Sequence, residues 1–313
     1  MGDGTPTPTT APAAPPSGPG VTPDDSPQLA ACRIARHHLR RMSQHAETLR
    51  AGSTDVEDVH DMRVATRRVR AVLAVFQRTL PKRAARSFER RLRSATRRLG
   101  RVRDLDVLIE ALVGPEGGFP VDAAVVQHFA RRQARARLRL VRWLGGPKFE
   151  DLERHAEGLC AAAEESVEGA EGRVALEAPV LLFEALAEAR AIPPAARPTL
   201  DDLHALRIRL KRLRYTVECF QEILGDPGAG FLAALRELQD ALGAIQDARV
   251  AADRVEEYLR KHAAEGADAA ALTAFVRRRR REAAAGARAC PARWRAFETS
   301  GLRERLAMAA AGL

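Results

Sequence analysis

Apolar residues along this chain recur at intervals of three and four, the spacing of helices that bury one face, and no alternation runs long enough to predict a strand. From Gln28 to Arg50 the period passes through Leu29, Ile34, Leu39, Met42 and Leu49, with Arg36, His37 and Arg40 on the polar side; Gly52 and Ser53 stop it. Thr54 or Asp55 can cap the next helix, with Glu57 or Asp58 placing negative charge in its first turn. Met62, Ala65, Val69, Val72, Leu73 and Phe76 form its apolar face, and it ends before Pro81. A third helix is expected from about Lys82 to Leu99, with Gly100 breaking the pattern before a fourth begins at Arg101. Gly114 to Pro120 is a turn cluster, followed by helices from about Val121 to Leu144 and Phe149 to Glu168. The second half predicts helices over about 178–191, from Thr199 or Asp201 to the breakers Gly225, Pro227 and Gly228, and over about 246–263, 267–285 and 290–311.

Two of these helices share one polar pattern. Residues 59–76 read VHDMRVATRRVRAVLAVF and residues 203–220 read LHALRIRLKRLRYTVECF, an offset of 144 positions. His60, Arg63, Arg67, Arg68, Arg70 and Phe76 recur as His204, Arg207, Lys211, Arg212, Arg214 and Phe220. At about 100° per residue, His60, Arg63, Arg67 and Arg70 fall within roughly 80° of helix surface, opposite the apolar face. The expected helix from Lys82 carries a second ladder, Arg83, Arg86, Arg90, Arg93 and Arg97, at the same steps. LQDALGAIQDARV echoes ATRRLGRVRDLDV at an offset of 143, which aligns Gly100 with Gly243 and Asp104 with Asp247. The pattern predicts an all-α fold of two related helical halves, about 28–168 and 169–313, in one domain.

Charge sharpens the comparison between halves. The chain carries a net +10, and its 27 Lys and Arg against 11 Asp and Glu between residues 28 and 148 give +16 there. Residues 149–313 hold 24 against 27, or −3. The positions matching Arg36, His37 and Arg40 are Val180, Leu181 and Glu184, so the second half has lost the surrounding cations while keeping the stripe His204, Arg207, Lys211 and Arg214. A solvated face alone does not require that retention. Residues 1–27, rich in Gly, Pro, Thr and Ala, lack apolar periodicity and are expected to be disordered. No apolar run is long enough for a membrane span, no secretory leader is recognisable, and a cytoplasmic location fits. Cys32, Cys160, Cys219 and Cys290 are too scattered for a zinc or disulfide framework and are expected as small apolar core or surface residues; no metal or cofactor is implied.

The two stripe helices resemble the hallmark of the conserved histidine α-helical domain, the CHAD family. The resemblance rests on HDMRVATRRVR from His60 to Arg70 and HALRIRLKRLRY from His204 to Tyr215, supported by RVRDLDV at Arg101 and LGAIQDARV at Leu242, and covers about residues 28–313. It implies a pseudo-two-fold pair of four-helix bundles whose basic faces line a central groove or cavity, binding of inorganic polyphosphate, and association with polyphosphate granules. The E-x-E-x-K strand motif of the triphosphate tunnel domain fused to some members is not found in this sequence.

Polyphosphate offers charge and phosphoryl oxygens but no bases, which suits arginine's bidentate donors. The expected ligand set is His60, Arg63, Arg67 and Arg70 with His204, Arg207, Lys211 and Arg214; Arg36, His37, Arg40, Arg68, Arg212, Arg86, Arg90, Arg93 and Arg97 extend it. The two histidines are expected to take up protons on binding, so that affinity rises as pH falls from about 8 to 6. A nucleic-acid backbone is the alternative partner, although Trp143, Trp294, Tyr215 and Tyr258 are too scattered to form a stacking platform. A phosphate-transfer or metal-dependent enzyme using His60 and His204 is the lesser alternative: cations surround each histidine in sequence, which disfavours a metal, and no orienting carboxylate recurs nearby except Asp104 and Asp247, which read as helix caps or partners of the stripe arginines.

Overall fold

A computed structural model describes residues 18–114, 123–167, 172–262 and 267–313. The described residues form ten helices and no strand. Five belong to the first half: α1 (Pro27–Arg50), α2 (Val56–Val75), α3 (Lys82–Val113), α4 (Ala123–Leu144) and α5 (Pro147–Glu165). The second half has α6 (Val174–Arg190), α7 (Leu200–Cys219), α8 (Gln221–His262), α9 (Ala267–Glu298) and α10 (Leu302–Ala311). The neighbours α1/α2, α2/α3, α3/α4, α3/α5 and α1/α5 recur five helices later as α6/α7, α7/α8, α8/α9, α8/α10 and α6/α10. The repeat read from the stripes thus extends to the packing of whole helices.

The stripe helices begin where the sequence places caps. The Asp55 carboxylate accepts from Glu57 N ahead of α2. Ahead of α7, Thr199 and Asp202 form a reciprocal capping box, Asp202 N donating to Thr199 Oγ1 at 3.1 Å and Thr199 N to Asp202 Oδ2 at 2.9 Å. Their apolar faces meet in one core: Met62, Val69 and Val72 of α2 and Leu206, Leu210 and Leu213 of α7 are buried in a cluster drawing on both halves. Phe76 and Phe220, matched by the repeat, meet edge-on with ring centroids 5.8 Å apart. A smaller cluster joins the far ends of α3 and α4 to α8 and α9 through Leu105, Phe129, Val255 and Phe275.

Several expected boundaries move. Gly100 does not end a helix, because α3 runs unbroken from Lys82 to Val113 and keeps burying its face through Leu99, Val102 and Leu105 on either side of it. A glycine inside a helix costs about 1 kcal/mol, less than that continuous apolar face supplies. In the second half α7 stops at Cys219, before the expected breakers, and Gly225 (φ 55°, ψ −141°) instead kinks the start of α8. The helix expected over 246–263 is the continuation of that same α8, and α9 passes Pro291 to reach Glu298. The turn cluster of residues 115–120 lies outside the described residues, as do residues 1–17 of the expected tail.

The remainder of that expected tail is part of the fold. Val21 and Asp25 are buried, and Gly20 N and Val21 N donate to the Glu222 carboxylate of α8 at 3.2 and 2.7 Å. Arg33 of α1 donates to Gly20 O at 2.6 Å and to Asp25 at 2.9 Å. Low apolar content hid this because backbone groups and two carboxylates hold the segment.

All four cysteines are free and buried. Among the described residues, no helix is long and apolar enough to cross a membrane.

Candidate functional site

The polar faces of α2 and α7 converge. Lys211 of α7 feels Arg207 and Arg214 on its own helix and Arg67 and Arg63 of α2, and this crowding follows burial as a cause that pulls its ammonium from the usual lysine range to about 7. Burial also lowers Arg67 and Arg207, each with the other stripe's cations adding to the effect. Five cations from two helices thus share one half-buried space. Guanidinium groups stay charged there, so the cost falls on the lysine.

The cluster has unfilled donor capacity. Arg67 Nε and Arg207 Nε are buried without a hydrogen-bond partner among the described residues. Such orphan donors are costly and mark places where an acceptor belongs. Tyr215, which replaces the first repeat's Ala71, lies under Arg214 and Arg67, with guanidinium carbons 5.0 and 5.8 Å from the ring centroid. Glu218 takes Arg68 Nε at 3.2 Å and approaches Arg214 Nε at 3.5 Å, linking α2 to α7.

Asp247 is the counter-charge beneath the cluster. It sits within α8, so it caps no helix; burial raises its pKa while Arg207, Arg63, Lys211 and Arg103 pull it down. Its repeat partner Asp104 also lies inside a helix and pairs with Arg254 at 2.8 Å. At Gly243 a Cβ would stand 4.0 Å from Arg207 Nη2, so the α8 backbone comes close to that guanidinium.

The other expected ligands divide. His60 lies away from the expectation of cationic surroundings: it groups with Glu57 and Asp61, the three offering ligand atoms within 4.8 Å of one another. Intervening residues in a linear sequence do not show which side chains share a helix face, and at i−3 and i+1 these two carboxylates can reach the imidazole. His204 is exposed, as are Arg40 and Arg70. Arg36 pairs with Glu157 and Glu164 of α5, and Arg212 with Glu188 of α6 at 2.5 Å. Those acidic partners on distant helices are invisible to a helical-wheel reading. His37 remains near Arg68, Arg40 and Arg41, and burial, the larger cause, together with these charges lowers its pKa. On α3, Arg86 and Arg90 line a separate cavity of about 1090 Å³ against α5, while Arg93 pairs with Glu89 at 3.2 Å and Arg97 is exposed. Sequence reasoning missed Tyr215 and Glu218 as site residues, because each appears in only one copy of the repeat.

The CHAD domain family model matches residues 33–256, a span that contains both stripe helices. The chain belongs to the CHAD family. In structure this CHAD chain is similar to the CHAD domain from the plant Ricinus communis, with a TM-score of 0.68 at 21% identity over 90% of this chain and 93% of that one. It is similar also to PptA from Streptomyces chartreusis, with a TM-score of 0.63 at 21% identity over 87% and 100% of the respective chains. At such identities the likeness speaks for the fold, and the site has to be argued from its residues. No curated protein matches the chain in sequence.

Proposed function

We propose that this CHAD domain binds inorganic polyphosphate where α2 and α7 converge, holding it without cleaving it. The observation that carries this reading is the meeting of Arg63 and Arg67 with Arg207, Lys211 and Arg214, two of whose guanidiniums keep buried, unpartnered Nε donors. A linear polyanion supplies repeated acceptors and charge in one ligand, relieving both the orphan donors and the mutual repulsion. The family's association with polyphosphate supports the same choice. Arg63, Arg67, Arg207, Lys211 and Arg214 form the gripping centre, with Arg70 and His204 exposed toward solvent on the same two helices. Arg36 and Arg212, engaged by carboxylates, stand outside it.

Calorimetric titration with polyphosphate of defined lengths at two salt concentrations tests this. Binding should weaken steeply with salt, as it does for other phosphate polymers. Arg67→Ala and Arg207→Ala should each weaken binding about tenfold or more, in line with lost charge-assisted bonds of about 1.5–3 kcal/mol. Unchanged affinity in both variants, or displacement of polyphosphate by RNA at equal phosphate concentration, overturns the reading. Release of orthophosphate during incubation would show that the site is catalytic.

A further inference from the structure

A second cavity, of about 530 Å³, opens between α3, α4 and α8 and contains no residue of the two stripes. Its composition differs from theirs. His128, Phe129, Tyr258 and His262 gather in it, with His128 and Tyr258 centroids 5.0 Å apart, Tyr258 and His262 4.5 Å, and Phe129 and Tyr258 5.5 Å. In a chain with only 4% Phe, Trp and Tyr this is a concentrated aromatic wall. The same cavity is lined by Arg132, Arg135 and Arg139 of α4, the helix that carries His128 and Phe129, and by Arg101 of α3.

Arg254 and Lys261 at the same cavity are engaged by Asp104 and Glu257; Arg132 also feels the Glu257 carboxylate, but Arg101, Arg132 and Arg135 form no ion pair among the described residues. The wall is anchored, since Phe129 and Leu105 belong to the buried cluster joining the far ends of α3 and α4 to α8 and α9. The volume falls within the range of small-molecule sites, about 300–1,000 Å³. Inorganic phosphate chains make no use of aromatic rings, but a molecule with a flat base at one end and phosphates at the other needs both halves of this lining.

We propose that this cavity binds a nucleotide, a nucleoside polyphosphate whose base rests on the Tyr258 ring, with the His128 ring edge-on beside it at an interplanar angle of 69°, and whose phosphates meet Arg132, Arg135 and Arg101. The site is separate from the α2/α7 centre and does not depend on its reading. Arg139 bonds its Nε to Arg135 O at 3.2 Å, which holds it along α4 at the rim.

The full chain is titrated calorimetrically with ATP, tripolyphosphate and adenosine, and again with Arg67→Ala and Arg207→Ala combined so that the α2/α7 centre no longer contributes. In that background ATP should bind at least about tenfold more tightly than tripolyphosphate, since a stacked base contributes about 1–3 kcal/mol. Tyr258→Leu should lower ATP affinity about tenfold and leave tripolyphosphate unchanged. Arg132→Ala with Arg135→Ala should weaken both. Should Tyr258→Leu fail to fold, the half-buried His128→Ala gives the same comparison, lowering ATP affinity alone. ATP binding no tighter than tripolyphosphate, an unchanged ATP affinity in the ring variants, or loss of ATP binding with the α2/α7 substitutions alone overturns the assignment.

Discussion

Lys211 stands where the first repeat has Arg67, and burial acts on the two differently. A guanidinium keeps its proton in a crowded site, whereas an ammonium can release it. Burial and four neighbouring arginines bring Lys211 to about 7, so near neutrality the free domain holds part of its population with an uncharged lysine. A bound polyanion favours the charged form, and binding near pH 7 to 8 should take up protons through this residue. Affinity is then expected to fall as pH rises past about 7, with a binding enthalpy that varies with the ionisation enthalpy of the buffer. Lys211→Arg should remove both dependences while retaining tight binding. The sequence points to His60 and His204 for this role, but the structure puts one beside two carboxylates and leaves the other exposed. Folding carries the opposite signature. Between about pH 7 and the usual lysine range the unfolded chain keeps a proton that the fold gives up, so Lys211 makes stability rise with pH there. Thermal melts of wild type and Lys211→Met across that window measure it, the variant losing this part of the slope.

Helices α2 and α7 were legible as elements because one period places apolar and cationic residues on opposite faces and a capping residue begins each. Thr199→Ala should lower stability by about 0.5–2 kcal/mol, read from denaturant unfolding, because it removes the acceptor for Asp202 N. What the sequence concealed were the elements' ends and their partners. Gly100 and Gly225 look alike as breakers, yet only Gly225 takes a positive φ; the first lies inside a helix whose buried face continues past it. Whether a glycine ends a helix depends on what packs beyond it. Gly286 of α9 illustrates the same dependence: a Cβ there would stand 2.6 Å from Ile245 Cγ1, so its absence lets α9 lie close on α8. Gly286→Ala is expected to destabilise by about 1–3 kcal/mol, the range for overpacking, and pairing it with Ile245→Ala should recover part of the loss in the same unfolding assay.

At the scale of the whole molecule, the halves share one buried cluster and are joined at the Phe76–Phe220 contact and the Glu218 bridge. That continuity predicts a single unfolding transition. Phe220→Ala should lower its midpoint, with a loss of about 3–5 kcal/mol, and should not release one half ahead of the other. Two separated transitions by calorimetry would contradict this. The repeat announced two related halves, but the asymmetry in how they serve the site was only partly readable. Loss of the outlying cations from the second half is visible in its net charge, whereas the neutralisation of Arg36 by α5 emerges only in three dimensions.

The short segment from Gly18 to Ser26 sets the practical limits of the folding unit. The family model's match begins at residue 33, and a chain trimmed to that position would begin part-way along α1. It would lack the first turns of α1, including the buried Ala30, Ala31 and Cys32, and Glu222 would lose the two backbone donors that reach it across more than 200 positions of sequence. Where recognisable ancestry starts is therefore a poor guide to where this molecule can be cut; Gly18 to Ser26 has to stay with the helices it ties together.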